Sequence, residues 1–69
     1  MPTEATAILE RIQHLVFQIE MKRARYSEMI HNEASFAETR KIYLEIKELE
    51  KQKKEFQNKL ARMGMSNQH

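Results

Sequence analysis

The sequence predicts an all-α fold: an antiparallel two-helix hairpin of coiled-coil type that pairs into a dimeric four-helix bundle. Three observations predict it. Apolar residues recur at alternating spacings of three and four, the spacing slips once near mid-chain, and helix breakers stand only at the ends. Pro2 and Gly64 are the sole proline and glycine. Glu, Lys, Arg, Gln, Leu, Met and Ala fill most of the rest, and these are strong helix formers.

The first helix is expected over about 4–31, with Thr3 as its N-cap. Its seam is Ile8, Ile12, Leu15, Ile19, Tyr26 and Met29, with Lys22 as the one charged member. Leu9, Val16 and Ile30 widen the stripe along one side.

The loop is expected at about 32–35. Continuing the first register as a single rod would place Glu33, Arg40 and Lys47 in the seam, whereas the second apolar pattern runs one residue ahead. A chain reversal absorbs that slip. Asn32 tolerates the left-handed conformation that ends helices. Ser35 and Glu38 form a capping-box pattern for the next helix.

The second helix is expected over about 36–63. Its seam is Ile42, Ile46, Leu49, Phe56, Leu60 and Met63, with Lys53 among them; Phe36 and Tyr43 widen it near the start. Gly64 suits the residue just past a helix C-terminus, which leaves 64–69 as a frayed tail. Each helix is then about 42 Å long, so the two seams match end to end.

Sixty-nine residues make one small domain, and the chain has no cysteine and hence no disulfide. A chain this short rarely builds a sufficient core alone, which leaves association as the route to stability. With the loop centred near Glu33, Phe17 and Met21 fall near the level of Leu44, with Val16 and Tyr43 at neighbouring levels. These five residues form the candidate partner face. The expected partner is a second copy, as a homodimer, or another helical protein.

Motifs for chemistry are few. Glu10 and His14 stand one turn apart, but one such pair supplies only two of the four ligands of a structural zinc site. No glycine-rich loop is present to cradle phosphate. No enzyme activity, metal or cofactor is therefore expected. Lys22, Arg23, Arg25, Lys51, Lys54, Lys59 and Arg62 form a candidate basic patch, and a nucleic-acid-binding regulator is the alternative reading. Against it, 12 basic residues face 10 acidic ones, and Glu45, Glu48, Glu50 and Glu55 interleave with the lysines. No apolar stretch approaches the ~18 residues of a membrane span, and a cytoplasmic location is expected.

Two kinds of helical assembly invite comparison. Hairpin regulators of the sporulation-phosphatase type carry a Ser-Gln-x-Leu-Asp signature on their second helix. The comparable stretch here is Ile42-Tyr43-Leu44-Glu45-Ile46, in a chain without any Asp, so that activity is not implied. The expected assembly is similar in architecture to plasmid copy-control dimers of four helices, and architecture alone does not fix function.

Overall fold

A computed structural model describes residues 3–66. Helix α1 runs Glu4–His31 and helix α2 runs Phe36–Ser66. Ion pairs Lys22–Glu45 and Glu4–Lys59 tie the middle of α1 to the first half of α2 and the start of α1 to the end of α2. The two helices therefore pack antiparallel. The molecule measures 54 × 20 × 13 Å.

Each helix start is capped by a hydroxyl. Thr3 Oγ1 accepts from the Thr6 N–H at 3.1 Å, and Ser35 Oγ accepts from the Glu38 N–H at 3.2 Å. Each cap satisfies one of the backbone donors that a helix start leaves free. The capping box at Ser35 is only half made: among the described residues Glu38 returns no side-chain bond.

The turn between the helices differs from expectation by one residue. Asn32 keeps φ −91° and still donates its N–H to Glu28 O at 2.9 Å, so it remains the last residue with a helical bond. Glu33 takes the left-handed conformation instead, at φ 56°. The Ala34 N–H then reaches Met29 O at 2.9 Å and the Glu33 N–H reaches Ile30 O at 3.3 Å. Those two bonds define a Schellman ending. The reversal falls where both orphan carbonyls find donors, and that geometry overrides the milder preference of Asn over Glu for positive φ. Only Asn32, Glu33, Ala34 and Ser35 separate the helices.

Contrary to the expectation from sequence, Gly64 does not end α2. The helix runs through it to Ser66, and no glycine among the described residues has positive φ. Gly costs a helix only about 1 kcal/mol relative to Ala. With nothing packed within 4 Å of its missing Cβ, nothing here forces the chain to turn. Residues 64–66 of the expected tail are thus helical, and its residues 67–69 lie outside the described part.

The core is a single stripe. Ile8, Leu15, Ile19 and Ile46 are buried, Leu15 completely, and each such side chain contributes roughly 1.5–3 kcal/mol by leaving water. Ile12, Tyr26, Met29, Ile42, Leu49, Phe56, Leu60 and Met63 lie in the same seam but only half-buried. Two helices shield one strip of each other and leave its margins wet. Thr39 is the one buried polar residue among those described, with 8% exposure. It fills a seam position one turn before Ile42, and its hydroxyl donates within its own helix, to Ser35 O (3.2 Å) and Phe36 O (3.0 Å).

Candidate interaction surface

The seam fixes which residues stand at its two edges, because each helical position advances about 100°. On α1 the residues directly after Ile8, Leu15, Lys22 and Met29 are Leu9, Val16, Arg23 and Ile30. They repeat every seven residues along one edge. The matching edge of α2 follows Ser35, Ile42, Leu49 and Phe56, and carries Phe36, Tyr43, Glu50 and Gln57. In an antiparallel pair these two edges lie on the same side. Two contacts confirm it: the Arg23 guanidinium bonds the Glu50 carboxylate, and the Tyr26 and Tyr43 rings stand 6.5 Å apart at 45°.

This flank is mostly apolar and mostly uncovered. Leu9 is 46% exposed, Ile30 53%, Phe36 79% and Tyr43 46%; Val16 is half-buried. Near the loop a shallow depression is walled by Tyr26, Phe36, Thr39, Arg40 and Tyr43. The two charges within the flank, Arg23 and Glu50, neutralise one another. Lys47 lies just outside, with its ammonium 5.5 Å from the centre of the Tyr43 ring and 3.9 Å from Glu50. That position suits a weak cation–π contact.

The opposite flank has the contrary character. Glu4, Arg11, Gln18 and Arg25 line its α1 edge, and Glu38, Glu45, Gln52 and Lys59 its α2 edge. Every one of these is polar. Lys22 Nζ donates to Glu45 Oε2 at 3.0 Å, both side chains half-buried, and Lys59 stands 3.4 Å from Glu4. Seam lysine Lys22 thus packs its stem and delivers its charge to this flank, as lysines at apolar margins do. Lys53, the other seam lysine, is half-buried.

The five residues expected to form one partner face do not come together. Phe17 is 60% exposed and stands two positions from the fully buried Leu15, hence about 200° around the helix, facing away from α2. Met21, 59% exposed, is one turn further along the same back. Leu44, 50% exposed, has the same relation to buried Ile46 and projects from the back of α2, in the opposite direction. Sharing a level along the hairpin is not sharing a face. Val16 and Tyr43 alone of the five belong to one surface, the apolar flank.

The basic residues are likewise dispersed. Lys22, Arg23 and Lys59 are engaged in ion pairs across the hairpin. Arg25 lines a depression on the polar flank together with Glu38, Lys41 and Glu45. Lys51, Lys54 and Arg62 are exposed on α2; Lys51 and Lys54 stand three positions apart and so neighbour one another, while Arg62 lies two turns further along. Among the described residues no cluster of three or more His or Glu side chains could hold a metal, and no helix is long and apolar enough to cross a membrane. Glu10 and His14 are both exposed on α1.

Sequence reasoning missed Thr39, because a threonine does not read as an apolar seam residue until its hydroxyl is seen to be occupied locally. It also treated the widening residues of the two helices separately. Their seven-residue spacing was the available signal that they form one flank. Comparison with protein-family models, with curated proteins and with solved structures gives no match, so the argument about function rests on this surface.

Proposed function

We propose that the chain is a small, non-enzymatic protein–protein interaction module that works through helix packing and associates with itself. The observation that carries this reading is an excess of uncovered surface, with large apolar side chains such as Leu9, Ile30, Phe36 and Tyr43 among the exposed residues. The accessible surface is 5779 Å², whereas a compact monomer of 8.3 kDa exposes roughly 4,600 Å². The difference, roughly 1,200 Å², exceeds the ~800 Å² that each partner contributes to an ordinary specific interface. The radius of gyration agrees: 15.9 Å, against about 11 Å for a globular chain of this length.

A four-helix bundle built from two hairpins would bury the half-wet margins of the seam and the apolar flank together. The test is solution mass by sedimentation equilibrium across a concentration series, with far-UV circular dichroism on the same samples. A helical dimer that dissociates on dilution is the expected result. A chain that stays monomeric and well helical up to millimolar concentration would overturn self-association.

A further inference from the structure

We infer that a second copy of the chain docks on the apolar flank in one orientation, with a two-fold axis along the hairpin, so that α1 of each copy lies over α2 of the other and both loops are at the same end. This rests on the self-association proposed above and adds the face and the geometry. The face follows from the contrast between the flanks. One is polar throughout and closed by Lys22–Glu45 and Glu4–Lys59; the other presents Leu9, Ile30, Phe36 and Tyr43 to water, with its two internal charges already paired.

The orientation follows from charge on the outer rim of that flank, one turn beyond its edge residues. The α2 rim is basic, with Arg40, Lys47 and Lys54 at seven-residue intervals; the α1 rim at the same levels carries Gln13, Glu20 and Ser27. Two ways exist to bring the flanks together by a two-fold axis lying in the interface. An axis across the hairpin sets α2 on α2, and stacks the basic rim against its own copy. An axis along the hairpin sets the basic rim over the other copy's α1, where Glu20 stands level with Lys47. The same arrangement gathers Ile30 and Phe36 of both copies at the loop end. Like charges face one another in the first arrangement; in the second, Lys47 meets Glu20 while Arg40 and Lys54 meet the neutral Ser27 and Gln13, and such juxtapositions fix register and orientation.

Glu20 and Lys47 are both exposed, and no ion pair joins them within one chain. A direct contact between them therefore passes between copies, whereas any effect relayed within one chain through Arg23, Glu50 and Lys47 is independent of protein concentration. The test is dimer dissociation measured on the full chain by sedimentation equilibrium. Val16→Glu combined with Tyr43→Glu is expected to weaken the dimer at least about 100-fold, while Phe17→Glu combined with Leu44→Glu changes it less than about threefold.

For orientation, Glu20→Lys alone and Lys47→Glu alone are each expected to weaken the dimer about three- to tenfold, and the two together to restore it. These exposed sites leave the seam untouched, so they report even if the flank double variant fails to fold. A wild-type dimer that survives the flank variant, or rim substitutions that do not rescue one another, overturns the inference and leaves self-association standing. A wild type that never dimerises overturns both.

Discussion

The two flanks of this hairpin are built on the same seam, from the same helices, with the same seven-residue spacing, and they end in opposite states. On one, a cation from each helix finds an acid on the other, and the margin is finished within the chain. On the other, five apolar side chains and one neutral ion pair leave a margin that no part of the described chain covers. The difference teaches that the seam determines how two helices pair, while the edge residues determine whether the pair is complete. A polar edge terminates packing; an apolar edge leaves surface within the described chain uncovered.

Several changes would break or sharpen this contrast. The largest effect belongs to the seam beneath both flanks. Leu15→Ala should remove roughly 3–5 kcal/mol, because the side chain is fully buried and its cavity cannot easily collapse between two helices. Urea unfolding monitored by circular dichroism would read this as loss of most cooperative structure. Retention of wild-type stability would mean that the seam is not the core.

The polar flank should be far more tolerant. Lys22→Met is expected to change stability by no more than about 1 kcal/mol, since both partners of the Lys22–Glu45 pair are about a third exposed and solvent screens them. The change should be independent of protein concentration, unlike any change on the apolar flank. A concentration-dependent loss would show that the finished flank also takes part in association.

Smaller effects come from the chain reversal and the helix end. Glu33→Gly should stabilise by about 1 kcal/mol, because Glu33 holds φ 56° with a Cβ that disfavours it. Gly64→Ala should stabilise by about 0.5–1 kcal/mol, as the position is helical and open around the missing Cβ. Thermal melts at fixed concentration resolve both. Destabilisation by Gly64→Ala would show that the helix does not persist through that residue in solution.

The two-helix architecture was legible in the sequence because periodicity over four turns and more is a long signal. The placement of Ile8, Leu15, Ile19 and Ile46 in the seam needs only the spacing of three and four. The turn was less legible: Asn32 and Glu33 differ slightly in left-handed preference, and the closing hydrogen bonds from Glu33 and Ala34 decided between them. Gly64 misled for the related reason that a glycine permits a helix end without requiring one. The partner face was read from levels along the hairpin, which residue number supplies. Faces depend on rotation about the helix axis, and this separates Phe17 from Leu44 although they are level.

The short connection between the helices also bears on how quickly the hairpin assembles. With four residues between the arms, closing the loop costs little chain entropy at its own end, but Glu4 and Lys59 meet only after some fifty intervening residues have been ordered. Pairing is therefore expected to propagate from the Schellman turn outward, like a zip, with Tyr26 and Tyr43 among the early contacts and Glu4–Lys59 among the last. Changes at the closed end are expected to alter the rate of folding, and changes at the open end the rate of coming apart.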